Sequence, residues 1–280
     1  MTPVAKTGWL VAAAGLMCAG CGPRVPPPAP APAAAASLAP ASAAASAREQ
    51  QRDRYIERAM AGTHVPGLEG VRLIGGGTGF YFASDKILAN YHVVGICKAL
   101  TVGNGVEGSE GVAKLVASDP AADLAVLSTS ATVPEPARFE TAVYTETGEG
   151  MAIVGYPEHG LLVLEAELSP VDAVTRELVS DRPKFPFHGA VRRGNSGSPV
   201  LDDSGAVVGV VEAKVDTVSV YQNTGKVVDN IGYAISNHVV FDFLRTNRLA
   251  YLSALPAPSL TRAQLLDRAH GFVRQIGCWK

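Results

Sequence analysis

Three short segments of the chain carry residue types that could together activate a hydroxyl group. Residues 89–94 surround His92, residues 123–127 begin with Asp123, and residues 194–199 read Gly-Asn-Ser-Gly-Ser-Pro around Ser196. A serine hydroxyl is a poor nucleophile at neutral pH, so it needs an imidazole to accept its proton and a carboxylate to hold that imidazole in the correct tautomer. The three segments therefore predict a catalytic triad of His92, Asp123 and Ser196.

Each of these residues has a simpler interpretation when it is considered alone. A single histidine at the end of a strand is more often structural, and an aspartate before a strand is usually a turn residue, as Asp119 exemplifies nearby. Serine and glycine also populate ordinary turns. Only the three segments in combination favour catalysis, and Asp123 is preferred to Asp119 because it opens an apolar strand.

The glycines around the serine have a chemical purpose in this interpretation. Backbone N–H groups must converge on one point, and a side chain there would block a substrate carbonyl. We expect the N–H groups of Gly194 and Ser196 to form an oxyanion hole.

The elements that must position these groups begin at about Gly67. From there the chain shows short apolar or alternating runs separated by Gly, Pro, Asn and Asp, as is typical of strands joined by turns. Strands are predicted at residues 71–74, 78–83, 86–90, 111–117, 124–128, 150–155, 161–168, 199–201, 207–213, 218–221 and 231–234. Helices are predicted only near the end, at 237–249 and 261–276. This pattern favours sandwiches or barrels over a parallel α/β fold.

The N-terminal residues indicate export. Residues 1–21 contain Lys6, an apolar run and small residues before Cys21, which matches a secretory signal. Cys21 also resembles the lipidated residue of a bacterial lipoprotein, which would anchor the protein to a membrane. A plain cleaved signal and an uncleaved anchor remain alternatives, although the apolar run is short for a membrane span.

Two further segments precede the strands. Residues 22–47 are almost entirely Ala, Pro and Ser and predict a disordered linker, and residues 48–66 predict a charged helical connector.

Composition restricts the partners. The formal net charge is -2, with no basic patch, so a nucleic-acid partner is not expected. If Cys18 leaves with the signal and Cys21 carries lipid, Cys97 and Cys278 are the remaining cysteines, in a compartment where disulfides persist. A Cys97–Cys278 disulfide and two buried free thiols are both compatible with this count.

Residues 76–244, which contain these motifs, resemble a trypsin-like serine peptidase of the bacterial HtrA (Deg) type. The segments Gly-Thr-Gly-Phe at 77–80 and Gly-Tyr-Ala-Ile at 232–235 add to the three triad segments. The resemblance implies an all-β fold of chymotrypsin type, with two six-stranded barrels and the triad between them. It also implies peptide hydrolysis through an acyl-enzyme, without metal or cofactor. The protease domain is expected at 67–252, followed by a C-terminal helical extension at 253–280.

The chain also departs from this family. We expect no PDZ domain, and trimerisation, common in the family, is carried over only as an analogy. Ser198 stands where most members have Gly, as in glutamyl endopeptidases, but Val211 stands where those enzymes have the His that reads glutamate. The substrate pocket is expected to be small and mostly apolar, favouring small aliphatic residues. Its expected walls are Ala190, Val191, Val211, Glu212, Ala213 and Tyr233.

The sequence thus predicts an exported, envelope-located serine endopeptidase that acts on polypeptides, with a role in protein quality control. Two alternatives stay open. One is a protease-like binding or sensor module with a latent or inactive site, and the other is a processing peptidase of narrow specificity.

Overall fold

The computed structural model describes residue 65 and residues 67–105, 109–141, 150–157, 167–173, 183–189, 191–214 and 230–280 of the chain. The predicted signal, the linker and nearly all of the charged connector lie outside these residues, as do Cys21 and the predicted strand at 218–221. The described residues belong to one unit spanning Ala43–Lys280.

Six antiparallel strands form a closed first barrel in the order β1-β14-β3-β4-β5-β2. Their bounds are β1 Leu73–Ala83, β2 Lys86–Ala89, β3 Ala99–Gly103, β4 Gly111–Asp119, β5 Leu124–Thr129 and β14 Val273–Trp279. A one-turn helix, α1 (Tyr91–Val94), follows β2. This helix carries His92 out of the barrel at the end of a buried strand.

A second sheet contains the nucleophile segment. Its strands are β6 Arg138–Phe139, β7 Gly150–Gly155, β8 Glu167–Ala173, β9 Lys184–His188, β10 Pro199–Leu201, β11 Val207–Lys214, β12 Ile231–Ser236 and β13 Leu252–Ser253. The order is β10-β7-β8-β9-β12-β11-β6-β13, and an additional β10–β11 pairing joins six of the strands in a ring. The two short strands β6 and β13 add to this ring in parallel. The predicted double-barrel fold of chymotrypsin type is confirmed.

The hydrophobic core explains why several strands are apolar without alternation. Leu88 of β2 and Val126 of β5 are fully buried, and they belong to the same cluster as Phe139, Val207 and Ile235 of the second sheet. Strands covered on both faces have no solvent side, so they need no polar residues at every second position. The core therefore continues from one barrel into the other and fixes the surfaces that meet beside the site.

Two helices follow the second sheet, α2 (Asn237–Thr246) and α3 (Arg262–His270). Thr261 and Gln264 form a capping box at the start of α3. The predicted helix over 261–276 is wrong after His270, because residues 273–279 form β14, which pairs with both β1 and β3. The predicted C-terminal helical extension at 253–280 is thus helical only over α3.

The strand predictions differ from the structure in a few further places. The predicted strands 71–74 and 78–83 both overlap the single strand β1, which begins at Leu73, and strands β3, β6, β9 and β13 were not predicted. Most of the predicted strand 161–168 lies outside the described residues.

A disulfide joins the two barrel cysteines. Cys97, just after α1, is bonded to Cys278 of β14, with a Cα–Cα distance of 5.2 Å and a sequence separation of 181 residues. The bond ties the C-terminal strand to the turn that follows His92. Separately, none of the helices in the described part of the chain has the length and apolarity needed to cross a membrane.

Candidate active site

His92 and Asp123 form a preassembled pair on the first barrel. Nδ1 of His92 lies 2.7 Å from Oδ2 of Asp123, and the backbone N–H of His92 donates to Oδ1 at 2.8 Å. An ionised carboxylate can only accept, so the shared proton is on Nδ1 and Nε2 is left free to act as a base. The Asp123 side chain is only 13% exposed, whereas that of His92 is 50% exposed to the cleft.

The backbone of Asp123 adopts an unusual conformation that this pairing requires. Its φ is 54°, in the left-handed region, which aspartate tolerates better than most residues. Its carbonyl oxygen accepts from the side-chain amide of Asn90 at 3.0 Å and from the N–H of Tyr91 at 3.1 Å. Asn90 is fully buried. These bonds hold the start of β5 against α1, and so fix the carboxylate beside the imidazole.

The nucleophile segment is a tight turn before β10. Gly194 and Gly197 have φ values of 91° and 86°, which glycine adopts without strain. A Cβ on Gly197 would also overlap the carbonyl oxygen of Thr78. Glycine is therefore required at position 197 both by conformation and by space.

The predicted oxyanion-hole donors are available. Among the described residues, the N–H groups of Gly194 and Ser196 have no acceptor, while that of the intervening Asn195 donates to the Arg192 carbonyl at 3.1 Å. Oδ1 of buried Asn195 in turn accepts from the Arg192 N–H at 3.0 Å. The turn is thus stabilised through its second residue, and the oxyanion-hole role of its first and third amides stays a prediction.

Thr78 of β1 connects the two halves of the site. Its hydroxyl donates to the Gly194 carbonyl at 2.6 Å and accepts from the Tyr156 N–H at 2.9 Å. Its own N–H donates to the Ser196 carbonyl at 2.9 Å. The Thr78 bonds to Gly194 and Ser196 thereby attach the nucleophile turn to the first barrel.

Burial raises the pKa of the Tyr156 phenol to about 12, so the phenol stays neutral at physiological pH.

The Ser196 hydroxyl points to its own barrel. Its Oγ donates to the backbone carbonyl of Glu212 at 3.1 Å. The β11–β12 register shifts between Val211 and Ala213, so Glu212 occupies a β-bulge. Bulges commonly redirect groups beside active sites. Here the bulge presents the Glu212 carbonyl to the serine.

One cleft of about 670 Å³ brings the triad candidates together. Its lining residues are His92, Asp123, Val191, Arg192, Arg193, Ser196 and Glu212. Among the described residues there is no cluster of three or more His, Cys, Asp or Glu side chains that could hold a metal ion.

The structure brings only part of the predicted substrate pocket to this cleft. Val191 and Glu212 line it, whereas Val211 is fully buried behind it. Tyr233 is 40% exposed and is not among the lining residues. Ala190 lies outside the described residues, and only the backbone of Ala213 is described. Arg192 and Arg193 also line the cleft, although they were not among its predicted walls.

Three residues that contact the site had no predicted role. Asn90 and Thr78 both lie inside segments that carried the family resemblance, so their position in those motifs was an available signal. Lys184 pairs with Glu212 across the second sheet, and no local sequence pattern predicts that contact.

Comparison with known proteins finds similar serine proteases. Residues 77–210 match the model of the trypsin-like peptidase domain. The chain is 33% identical to serine protease Rv3671c of Mycobacterium tuberculosis over 142 residues, which cover 48% of this chain and 35% of the relative. It is 32% identical to serine protease Do-like HtrB of Bacillus subtilis over 167 residues, which cover 56% of this chain and 34% of the relative.

A solved structure shares the fold. The serine endoprotease from Yersinia pestis superposes with a TM-score of 0.50 at 21% identity, covering 61% of this chain and 57% of that one. The chain spans about a third of the length of the curated relatives it matches.

Proposed function

Because the chain carries a trypsin-like peptidase domain similar to those of HtrA-type serine proteases, we propose that it is a serine endopeptidase acting through His92, Asp123 and Ser196. The observation that carries this proposal is the paired His92 and Asp123 in the same cleft as Ser196. The pair supplies a base of fixed tautomer, and the serine supplies the only group of the three that can form a covalent ester.

The first step is attack of Ser196 on a peptide carbonyl. A change of the Ser196 side-chain rotamer takes Oγ from the Glu212 carbonyl toward Nε2 of His92, which accepts the hydroxyl proton as the Oγ–carbon bond forms. Asp123 stabilises the resulting imidazolium. The amides of Gly194 and Ser196 hold the oxyanion of the tetrahedral intermediate.

Collapse of this intermediate breaks the peptide bond and leaves an acyl group on Ser196. His92 gives its proton to the leaving amine, and then takes one from the water that hydrolyses the ester. The second tetrahedral intermediate uses the same two amides. Every proton therefore moves through a single imidazole, which is why its orientation by Asp123 matters at both stages.

The substrates proposed for this site are polypeptides of the cell envelope. The half-exposed His92 and the open cleft suit an extended chain, and buried Val191 contributes an apolar wall that suits a small aliphatic side chain before the cleaved bond. The signal-like N-terminal residues support export and lipid anchoring at Cys21. Together these features favour a role in removing unfolded or damaged envelope proteins.

A latent form of the same enzyme is a second candidate, and one contact favours it. The Ser196 hydroxyl donates its proton to the Glu212 carbonyl, and this proton is not available to His92 while the bond lasts. A protein that keeps this bond until a partner binds would act as a sensor rather than as a constitutive peptidase.

The proposal is tested with purified protein and casein as the substrate. Ser196→Ala should abolish cleavage, because no other group replaces the attacking hydroxyl. Ser198→Ala is the matched control, since it removes a buried hydroxyl two residues away that has no hydrogen-bond partner among the described residues. Equal activity of Ser196→Ala and the wild type would refute the nucleophile assignment.

A further inference from the structure

We propose that Lys184 determines the charge preference of the cleft by neutralising Glu212, so that the site accepts an uncharged side chain and rejects a basic one. This inference rests on the proposed peptidase function, because it assumes that the cleft beside Ser196 receives a substrate side chain. Lys184 acts here as a specificity-determining residue that contacts Glu212 rather than the substrate.

Glu212 is well placed to attract a basic side chain. It lies at the bulge in β11, its carbonyl oxygen contacts Ser196, and it is one of the residues that line the cleft. That side chain is only 16% exposed, and partial burial strengthens the interaction of a carboxylate with any cation that enters. An unpaired Glu212 would therefore favour Lys or Arg in the substrate.

Lys184 removes this attraction from outside the cleft lining. It lies on β9 opposite Ile235 of β12, and Ile235 in turn pairs with Val210 of β11. From there its Nζ donates to Oε1 of Glu212. The Lys184 side chain is 40% exposed and is not among the lining residues. The ammonium thus cancels the charge of Glu212 without occupying the space that a substrate would fill.

The other charged residues that line the cleft are Asp123, Arg192 and Arg193. The Asp123 carboxylate is already bonded to the side chain and the backbone N–H of His92. Once Glu212 is neutralised, a basic substrate side chain therefore meets cations, and each carboxylate in the described lining already has a partner. Removal of Lys184 should expose the negative charge of Glu212 and leave the other charges of the cleft unchanged.

The test measures binding of p-aminobenzamidine, a small aromatic cation, by fluorescence titration. Lys184→Met should bind it at least about tenfold more tightly than the wild type, because the Glu212 charge is released. Lys184→Arg, which keeps the cation, should bind as weakly as the wild type. The double variant Lys184→Met/Glu212→Gln should lose the gain. Lys86→Met is the matched control, since it breaks the Lys86–Asp85 ion pair in the first barrel.

Unchanged affinity of Lys184→Met would overturn the proposal, and so would a gain that persists in the double variant. The Lys184 side chain is 40% exposed, so we expect Lys184→Met to fold. In active protein, the same variant should raise kcat/KM for peptides with Lys before the cleaved bond relative to those with Val.

The binding assay requires no turnover. A protein that shows the expected affinities but hydrolyses no peptide would therefore count against the proposed function and not against the role of Lys184.

Discussion

The two barrels contribute to the site in different states of readiness. On the first barrel, His92 and Asp123 are already joined by two hydrogen bonds, and Asn90 and Tyr91 hold the Asp123 backbone. On the second, the Ser196 hydroxyl is bonded to the carbonyl of its own β-bulge. The proposed base and its orienting acid are thus already paired, whereas the proposed nucleophile is bonded within its own barrel.

This difference makes the Ser196 side chain the place where we expect activity to be controlled. A rotamer change of one serine needs no movement of the backbone, and the turn around it is held to the first barrel by Thr78. Substrate or a partner could therefore select the reactive rotamer at low energetic cost. Four changes test this difference. They affect, in order, the His92–Asp123 pair, the disulfide of the first barrel, the Thr78 link between the barrels, and a turn in the second barrel.

Asp123→Asn should have the largest effect. An asparagine amide at this position would favour the wrong tautomer of His92, and kcat should fall by about 10⁴-fold with KM little changed. The measurement is steady-state hydrolysis of a chromogenic peptide. Asp119→Asn is the matched control, since Asp119 only accepts from the amides of Ala121 and Ala122 in the preceding turn. A comparable loss in both variants would contradict the assignment of Asp123.

Removal of the disulfide should destabilise the first barrel. The Cys97–Cys278 bond closes a loop of 181 residues, and its loss in a Cys97→Ser/Cys278→Ser variant should lower the free energy of unfolding by about 2 to 5 kcal/mol. Urea denaturation monitored by circular dichroism measures this change. Equal denaturation midpoints for the oxidised wild type and the variant would show that the bond does not stabilise the barrel.

Thr78→Val tests the link between the barrels. The substitution keeps the shape of a buried side chain but leaves the Gly194 carbonyl and the Tyr156 N–H unpaired, which should cost about 1 to 3 kcal/mol of stability. Activity should fall about tenfold as the Gly194 amide loses its orientation. Thr78→Ser keeps the hydroxyl and should retain both properties. If Thr78→Ser is as impaired as Thr78→Val, the hydroxyl is not the group that matters.

Asp202→Asn should have the smallest effect, and it should be stabilising. Burial, only partly offset by bonds from Ser204 and Ala206, raises the pKa of Asp202 above its ordinary 3.8. The folded protein therefore binds this proton more tightly than the unfolded chain, so ionisation of Asp202 reduces stability as pH rises through the folded pKa. At pH 7 the variant should therefore be more stable than the wild type.

The gain from Asp202→Asn should disappear below about pH 3.8, where Asp202 is protonated in both the folded and unfolded states. Urea denaturation at several pH values measures it. A gain that is independent of pH would mean that the charge of Asp202 is not its cause.

Much of the first barrel could be predicted from the sequence because its strands carry strong local signals. Strands β2 and β5 are short apolar runs bounded by turn residues, and the segments that hold His92 and Asp123 come directly after and before them. Two adjacent strands of one barrel must place these ends close together. The pairing of His92 with Asp123 was predicted from the three motifs and the family resemblance, and the β2–β5 pairing explains why the two residues are close.

Strand β14 and the Glu212 bulge could not be predicted in this way. The spacing of Leu265, Ala269 and Val273 satisfies a helix, but Val273 is buried because β14 finds partners in β1 and β3, which are distant in sequence. Long-range pairing overrode local periodicity there. The bulge at Glu212 likewise depends on the register between β11 and β12. The left-handed φ of Asp123 depends on hydrogen bonds from Asn90 and Tyr91.

The most direct test of the central claim is the rate at which a fluorophosphonate probe labels the protein, with the modified residue identified by mass spectrometry. We predict labelling at Ser196 in the wild type and a loss of rate of about 10³-fold or more in His92→Ala, because the probe reacts only with an activated serine. Equal labelling rates in the two proteins, or modification at a residue other than Ser196, would contradict the proposed triad.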